Sequence, residues 1–290
     1  MPKEKAAIST LSLLRKKFHV NILKKILTVE NGIPSNADKH NKVSIGISNG
    51  IIRMIGKALE RERLAAQTSG NNFENICRDF IEAAFLKLDH LRPGHWRFKQ
   101  LGEISEYEQY AHLKYIDQVR KKDSKLASIL GSDYTITPDI VISREPEDDR
   151  AINKKELYVD DQSGKQTSLR KKYNDLPILH ASISCKWTIR SDRAQNSRTE
   201  ALNLMRNRKG KLPHIMVITG EPLPSRLASI ALGTGDMDCV YHFALPELIQ
   251  SVDEMAKQKE GLSEAKDLLT TMVEGKRLKD ISDLPLDLAI

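Results

Sequence analysis

The sequence predicts an α/β fold in which a central mixed β-sheet is flanked by α-helices. In the first part of the chain, apolar residues recur at intervals of three and four, which is the spacing of amphipathic helices. Further along, short segments alternate between apolar and polar residues or run apolar throughout, as half-buried and fully buried strands do. Because both patterns continue without an internal repeat or a Gly/Ser-rich linker, we expect a single domain over residues 1–290.

A long helix is expected early in the chain. Ser69, Asn71 and Asn72 precede its apolar pattern as N-cap candidates, and this start would place Glu74 in the first helical turn. An Arg-Pro-Gly sequence at 92–94 ends it. The apolar residues at helical spacing are Phe73, Ile76, Cys77, Phe80, Ala84, Phe85 and Leu88.

Residues 134–143 and 178–187 are expected to form two strands. The first segment alternates so that Asp139 lies on the more polar of its two faces. The second segment places Ser184 and Lys186 together on one face, opposite its apolar residues. If the two strands pair, Asp139 and Lys186 project from the same side of the sheet.

The second half of the chain supplies further elements. Residues 146–174 are highly charged and poorly periodic, which indicates an excursion from the core. Two short, largely buried strands are expected at 214–219 and 238–244. A helix that ends in the basic run 206–211 is indicated by the spacing of Ala194, Ala201, Leu202 and Met205.

Composition limits the class of protein. Lys and Arg number 46 against 39 Asp and Glu, so the net charge of +7 suits a polyanionic partner such as nucleic acid without establishing one. The three cysteines form no CxxC pair, which argues against a zinc site or a disulfide framework and favours a reducing compartment. No apolar run approaches the roughly 20 residues of a membrane span, so we expect a cytoplasmic protein.

Asp139 and Lys186 are the residue types that a metal-dependent phosphodiesterase requires. Carboxylates hold the divalent ion, and a cation balances the charge that develops on the phosphate. From these two residues alone, a strand bend at Pro138-Asp139 and a solvated lysine at a strand end would be the preferred interpretation. Glu200, on the helix after the second strand, and Glu74 are candidate additional acids. Taken separately, a mid-helix glutamate usually faces water and a first-turn glutamate usually complements the helix dipole.

Arg190, Asp192 and Arg193 directly follow the second of these strands and could read G·C base pairs. Arginine bonds bidentately to O6 and N7 of guanine, and aspartate accepts a hydrogen bond from the amino group of cytosine. The alternative interpretation is a helix N-terminus, with Asp192 as its cap and the two arginines as surface charge. The basic run 206–211 could contact phosphates, although such runs are more often simply solvated.

Longer stretches of the chain resemble the NgoMIV-like type II restriction endonucleases, a group that recognises CCGG. The resemblance rests mainly on residues 183–196 (ISCKWTIRSDRAQN) and 131–139 (GSDYTITPD). It extends over most of the chain from about Ser35 onward. Shorter matching stretches are residues 67–70, 212–215, 224–226 and 275–287.

The resemblance implies the restriction-endonuclease-like fold, with a PD-(D/E)xK core. Asp139 would supply the first acid, and Ser184 and Lys186 stand where the motif usually has acid-x-lysine. Ser184 departs from that pattern, and in this group a glutamate of the next helix, here Glu200, replaces the missing acid. Asp139 and the main-chain carbonyl of Cys185 would ligate Mg²⁺, with two ions in each active site.

Further roles follow from the same resemblance. Glu74 and Glu200 would act near the metal, partly through water, and Lys186 would contact the scissile phosphate and the attacking water. Among the DNA readers, Gln67 would approach the minor groove, and Asp38 with Arg226 would read the outer base pair, giving GCCGGC. The expected readers of the central CCGG are Arg190, Asp192 and Arg193.

The resemblance also implies an assembly. Residues 146–174 correspond to a loop that helps such enzymes form tetramers of two back-to-back dimers, and a twofold dimer matches a palindromic site. The sequence therefore predicts a type II restriction endonuclease that cuts duplex DNA at G/CCGGC and leaves 5′-phosphates. Two alternatives stay open at this point: a sequence-specific DNA-binding protein that has lost catalysis, and a structure-selective repair nuclease of the same superfamily.

Overall fold

A computed structural model describes residues 7–122, 136–233, 235–257 and 262–290, with the backbone alone for residues 120 and 191–194. The strands in these ranges are β1 (Thr28–Glu30), β2 (Ile33–Pro34), β3 (Leu59–Glu60), β4 (Trp96–Gln100), β5 (Ile140–Arg144), β6 (Ile178–Lys186), β7 (His214–Thr219), β8 (Cys239–His242) and β9 (Leu278–Asp280). The helices are α1 (Thr10–Lys25), α2 (Lys42–Ile55), α3 (Ala66–Phe85), α4 (Ala111–Lys122), α5 (Asp149–Ile152), α6 (Ser191–Asn207), α7 (Pro224–Ala231), α8 (Leu245–Ala256), α9 (Ser263–Glu274) and α10 (Leu284–Asp287).

The central sheet is mixed, as expected. Its strands lie in the order β4-β5-β6-β7-β8-β9. The β4–β5 and β5–β6 pairs are antiparallel, whereas β6–β7, β7–β8 and β8–β9 are parallel. Helices pack against this sheet, and α3 contacts both β4 and β6. The observed architecture is thus the predicted α/β arrangement of a mixed sheet flanked by helices.

The β6 strand is buried on both of its faces. The sequence pattern predicted one polar face, yet His180, Ser182 and Ser184 on that face are only 8%, 6% and 8% exposed. A ring nitrogen of His180 lies 2.8 Å from the backbone carbonyl oxygen of Leu288, so the C-terminal segment covers that end of the strand. His180 and Ser184 can occupy this covered face because their side chains find hydrogen-bond partners there.

Three of the four predicted strands lie within about two residues of their predicted bounds, and the fourth starts late. β7 has the predicted bounds, β6 ends one residue earlier than predicted, and β8 is shorter than predicted. β5 begins only at Ile140, so residues 136–139 lie outside the ladder, while Tyr134 and Thr135 lie outside the described residues. Pro138 explains this late start, since proline has no N–H to donate to a ladder.

The early helix begins before its predicted caps. α3 starts at Ala66, with Ala65 as an N-cap that makes no side-chain hydrogen bond. Ser69 consequently lies within the helix, where its hydroxyl donates to the Ala65 carbonyl at 3.2 Å. Glu74 therefore lies about two turns into the helix rather than in its first turn, so the helix-dipole explanation for this residue is wrong.

The N-terminal part of the chain forms a layer beside the sheet. A small sheet has the order β2-β1-β3, α1 packs on α3, and α2 packs on α8. Between β2 and α2, the Asn41 side chain caps α2 by accepting from the backbone N–H groups of Val43 and Ser44. The Ser44 hydroxyl in turn accepts from the backbone N–H of Asp38 at 2.9 Å. These caps fix the loop that carries Asp38.

Residues 146–174 form a folded excursion with few regular elements. It contains α5 and an isolated bridge between Glu147 and Arg170. The Arg170 side chain is 1% exposed and pairs with both carboxylate oxygens of Asp149. Leu157 and Tyr158, by contrast, are 80% and 72% exposed, so the excursion presents apolar side chains to solvent.

The three cysteines, Cys77, Cys185 and Cys239, are free and buried, as expected of a chain without a disulfide framework. Within the described residues, the helices are too short or too polar to cross a membrane.

Candidate active site

Asp139 and Lys186 meet at one end of β6. The antiparallel register pairs Ile140 with Ile183, which brings Asp139 alongside the last residues of β6. Oδ2 of Asp139 accepts hydrogen bonds from the backbone N–H of Cys185 at 2.6 Å and from Nζ of Lys186 at 2.8 Å. Asp139 and Lys186 thus project together, as the strand patterns predicted, although the pairing begins after Asp139 rather than around it.

Lys186 is held in its charged form. Its side chain is 18% exposed, and burial alone would lower the pKa of the ammonium group. The Asp139 and Glu200 carboxylates oppose this effect, and the net pKa of Lys186 lies above its usual value. A permanently charged ammonium group at this place can pair with an anion that enters the site.

Glu74 of α3 and Glu200 of α6 face the same pair. Burial and then repulsion by Asp139 raise the pKa of Glu74 to about 7, against a smaller lowering by Lys186. Burial also raises the pKa of Glu200, which Lys186 lowers and Asp139 raises further. We call Glu74, Asp139, Lys186 and Glu200 the catalytic cluster, after the role that is proposed for them below. It contains three carboxyl groups and one ammonium group, so its acids outnumber its bases.

Ser184 contributes a hydroxyl rather than a carboxylate to this end of β6. Its Oγ lies 3.2 Å from Oγ of Ser197 in α6 and 3.5 Å from Oδ2 of Asp139. Ser184 is 8% exposed, so its hydroxyl group is buried, and it pairs there with the hydroxyl group of Ser197. The additional carboxyl group of the cluster comes from Glu200, farther along the same helix as Ser197.

The cluster does not form a complete set of direct metal ligands. Across the described ranges, His, Cys, Asp and Glu side chains do not converge in threes at ligating distance. Cys185 offers a donor of another kind. Its N–H points to Asp139, and the N–H and C=O of one strand residue point to the same side of the strand. The Cys185 carbonyl therefore faces the side on which the Asp139 carboxylate lies.

Two cavities open beside the cluster and share part of their walls. The smaller one, about 480 Å³, is lined by Cys185, Lys186 and Glu200 among others. The larger one, about 860 Å³, is lined by Asp38 and Arg226. Both cavities include Arg63, Thr188 and Arg190 in their walls. The residues after β6 therefore connect the catalytic cluster to a second, charged cavity.

A chain of three ionisable side chains leads from the wall of that second cavity into the protein interior, where Glu221 is fully buried. Nη2 of Arg226 lies 2.5 Å from Oδ2 of Asp38, and Nη1 of Arg226 lies 3.7 Å from Oε2 of Glu221. Asp38 also accepts a hydrogen bond from the backbone N–H of His40. This bond lowers the pKa of Asp38, burial raises it, and the pairing with Arg226 lowers it further, so the net pKa lies below its usual value. We call Asp38, Glu221 and Arg226 the outer cluster.

The remaining predicted readers are placed as follows. Arg190 is exposed, has extended backbone and is the N-cap residue of α6. Asp192 and Arg193 lie in the first turn of α6, and their side chains lie outside the described residues. Gln67 is exposed in the first turn of α3. Ala66, Ser69 and Gly70 of the same turns line the smaller cavity.

The sequence interpretation missed Glu221 and Arg63. Glu221 is fully buried in a turn after β7. The sequence did offer a signal for it, since Glu221 is a lone acid in an apolar stretch between a predicted strand and a proline. Arg63 precedes α3 and lies in the walls of both cavities, yet an isolated arginine in a charged segment carries no comparable signal.

Comparisons with known proteins agree on one family. The family model described as NgoMIV restriction enzyme matches residues 18–290, which extends beyond the start expected near Ser35. The chain is 54% identical over 283 residues to the type II restriction enzyme NgoMIV of Neisseria gonorrhoeae, and the match covers 95% of this chain and 97% of the relative.

Two solved structures show weaker likeness. A PspGI restriction endonuclease–substrate DNA complex has 11% identity and a TM-score of 0.29, covering 97% of this chain and 92% of that chain. The type IIF restriction endonuclease Bse634I with cognate DNA has 14% identity and a TM-score of 0.35, covering 88% and 95%. TM-scores this low do not establish a relationship, whereas the family match and the 54% identity do. They confirm the resemblance and the restriction-endonuclease-like fold class, and the chain belongs to the NgoMIV restriction enzyme family, as a type II restriction enzyme.

Proposed function

We propose that this chain hydrolyses one phosphodiester in each strand of duplex DNA at a palindrome centred on CCGG, G/CCGGC in full, with Mg²⁺ and in the bacterial cytoplasm. The products are 5′-phosphate and 3′-hydroxyl ends with 5′-CCGG overhangs. The observation that carries this proposal is the meeting of Asp139 and Lys186, electrostatically coupled to Glu74 and Glu200, beside a charged cavity.

The charges of the catalytic cluster fit a divalent cation. Its three carboxyl groups face one ammonium group, and burial with mutual repulsion raises the pKa of Glu74 and Glu200. Hard oxygen donors of this kind suit Mg²⁺. Asp139 and the Cys185 carbonyl would hold the ion directly, and Glu74 and Glu200 would act nearby, partly through water, with two ions in each site. The bound metal would polarise the scissile phosphate and lower the pKa of water.

The protein's own groups hold the reactants for in-line attack. The Lys186 ammonium group pairs with a phosphate oxygen and orients the attacking water, and it exchanges part of its present contact with Asp139 for these. The raised pKa of Glu200 makes this carboxyl group suited to accept a proton from that water. Burial of the cluster beneath α3 and α6 limits access of bulk water, which strengthens these electrostatic interactions.

Recognition of the DNA sequence is assigned to residues in and beside the walls of the two cavities. Arg190, Asp192 and Arg193 read the central CCGG in the major groove, since arginine matches guanine and aspartate matches the amino group of cytosine. Asp38 and Arg226 read the outer C·G pair by the same chemistry. Gln67 approaches the minor groove from the first turn of α3. The net charge of +7 supports association with the phosphate backbone.

The single domain assembles as a dimer and then as a tetramer that holds two DNA sites. The folded excursion at 146–174 exposes Leu157 and Tyr158, at 80% and 72%. Exposed apolar side chains in a segment ordered by the pairing of the buried Arg170 with Asp149 favour contact with another protein surface. A twofold dimer presents two catalytic clusters to the two strands of a palindrome.

The test is digestion of a plasmid of known sequence with Mg²⁺, followed by sequencing of the fragment ends. We expect cuts only at GCCGGC, with four-base 5′ overhangs, and no cuts when the metal is chelated. Specific binding without cleavage would instead indicate a protein that has lost catalysis. Cleavage at many unrelated sequences would indicate a repair nuclease, and either result would contradict the proposal.

A further inference from the structure

Glu221 is a buried carboxylate outside the catalytic cluster. It lies in the turn that leads from β7 to α7, and its side chain is 0% exposed. Taking a carboxylate out of water is costly unless partners compensate, so a fully buried glutamate needs a set of donors around it. Its own N–H donates to Oγ1 of Thr219 at 3.1 Å, which fixes the turn itself.

The Glu221 carboxylate binds the segment that follows β6. Oε2 of Glu221 accepts from the backbone N–H of Ile189 at 2.9 Å, and Oε1 accepts from the N–H of Leu223 at 3.2 Å. Ile189 immediately precedes Arg190, the N-cap residue of α6. The carboxylate therefore fixes the backbone from which the expected readers of the central base pairs begin.

The same carboxylate also faces the outer readers. Nη1 of Arg226 lies 3.7 Å from Oε2 of Glu221, while the other end of this guanidinium group holds Asp38. A further bond joins the Asp38 loop to the turn, since the Asn36 amide donates to the Gly220 carbonyl at 2.8 Å. One turn thus contacts three segments that line the larger cavity.

Burial raises the pKa of Glu221 to about 7, and Asp38 adds to this increase. The Ile189 and Leu223 N–H groups and the Arg226 guanidinium group oppose it. Glu221 depends on these partners for its charge, so loss of the charge weakens the hold on Arg226 and on the segment before α6 together.

We infer that Glu221 is a positioning residue for DNA selectivity, which holds Arg226 and the segment before α6 in register with one another. Glu221 itself does not contact a base, and it acts through Arg226 and through the backbone of Ile189. Because it contacts the guanidinium group of Arg226 but only the backbone beside Arg190, selectivity at the outer base pair depends on it more than selectivity at the central pairs does. The inference rests on the proposed function and adds a residue to it.

The test uses Glu221→Gln, which keeps the side-chain volume and removes the charge. Rates are measured on duplexes that carry CCGG with each of the four outer base pairs. We expect the preference for the outer G·C pair to fall about tenfold, which is the size of one base-specific contact. We expect KM for the cognate duplex to rise, whereas kcat changes by less than about threefold.

Asp280→Asn is the matched control. Asp280 is also buried, pairs with Arg15 and accepts from the Leu245 N–H, but it lies on β9, away from both cavities. We expect this variant to lose stability and to keep its preference for the outer pair. Selectivity is a ratio of two rates measured on one preparation, so any unfolded protein lowers both rates equally and does not change the ratio. If Glu221→Gln does not fold, Glu221→Asp serves, because its shorter carboxylate cannot keep all of its partners.

The outcomes separate this inference from the function on which it rests. A Glu221→Gln enzyme whose outer-pair preference stays within about twofold of the unchanged protein overturns the inference. A loss of selectivity equally large in Asp280→Asn also overturns it, because the effect is then one of general stability. Failure of the unchanged protein to cut any CCGG-centred duplex contradicts the proposed function instead.

Discussion

The catalytic cluster and the outer cluster differ in how their charges are balanced. In the catalytic cluster, three carboxyl groups face the single ammonium group of Lys186, and burial and repulsion raise the pKa of two of them. In the outer cluster, Arg226 lies between two carboxylates, and backbone N–H groups of Ile189, Leu223 and His40 supply further donors.

This difference has a physical meaning for each cluster. An excess of partly buried negative charge is unfavourable until a cation joins it, so the catalytic cluster suits a metal ion. In the outer cluster, the carboxylates already receive hydrogen bonds and ion pairs from other groups of the protein, so their side chains are ordered in advance of DNA binding. Preorganised contacts lose less side-chain freedom on association. Changes in the first cluster should therefore affect rate, and changes in the second should affect selectivity.

Asp139→Ala tests the first half of this contrast with the largest expected effect. Removal of the carboxylate that contacts both Lys186 and the Cys185 N–H should lower the cleavage rate by on the order of 10³-fold or more. Binding of a labelled cognate duplex should stay largely unchanged, whereas Arg193→Ala should weaken binding first.

Single-turnover cleavage and gel-shift titration measure the two quantities. Asp89→Ala, at an aspartate whose side chain is 84% exposed, is the control and should leave both unchanged. An Asp139→Ala enzyme that still cuts with Mg²⁺ would show that the catalytic site lies elsewhere.

Glu200→Gln should have a smaller effect on rate. In the proposed function this glutamate acts near the metal, partly through water, and removal of such an outer partner typically lowers metal affinity or activity about 10–100-fold. We expect a higher Mg²⁺ concentration for half-maximal cleavage, which a metal titration of the initial rate measures. Glu254→Gln on α8 is the control, and an unchanged metal requirement in Glu200→Gln would remove this residue from the catalytic cluster.

Asp38→Asn should change selectivity more than rate. The amide can no longer accept hydrogen bonds with both of its terminal atoms, and Arg226 loses its closest charged partner. We expect discrimination at the outer base pair to fall about tenfold, with the central CCGG still required. Competition between duplexes that differ only in the outer pair measures this ratio. Equal loss of discrimination at the central pairs would show that the two sets of readers are not separate.

The smallest predicted effect is on stability. The pKa of Glu221 is about 7 in the folded chain, above its usual 4.5, so the folded state binds more protons between these pH values. The unfolding free energy contributed by this group therefore falls as pH rises from 4.5 to 7. His180 and His242, whose pKa values burial lowers to about 3 and about 4, give the opposite slope.

For that reason the quantity to compare is the difference in Tm between the unchanged protein and Glu221→Gln. We expect the difference to change by about 2–4 °C between pH 5 and pH 8, in favour of the variant at the higher pH. Thermal unfolding without DNA or metal measures it. A difference that is independent of pH would show that Glu221 does not change its protonation on folding.

Much of the sheet could be predicted because its strands carry their own patterns. β6 and β7 are apolar or alternating segments with clear ends, and the shared face of Asp139 and Lys186 follows from residue parity once their two segments are taken to pair. The start of α3 was placed too late because Ser69 and its neighbours are good capping residues. Here the chain continues the helix through them, since packing against α1 and β6 outweighs local preference.

The outer cluster could not be assembled from local patterns. Asp38 and Arg226 are separated by 188 positions, and periodicity within elements says nothing about which loops meet. Resemblance to the family brought these two residues together, but it did not reveal Glu221 beneath them. A buried acid is recognisable only once its donors from the segment after β6, from α7 and from the turn are placed around it.

The position of Arg226 between two acids has a consequence for redesign of the enzyme. Exchange of Arg226 alone for a neutral residue would leave Asp38 and the buried Glu221 facing each other without a cation. Such a single change could alter the base preference, but it would leave the buried Glu221 carboxylate without its cationic partner and so destabilise the protein. Laboratory evolution toward another flanking base should therefore recover linked replacements at these three positions, because an intermediate with one replacement is less stable than either end point.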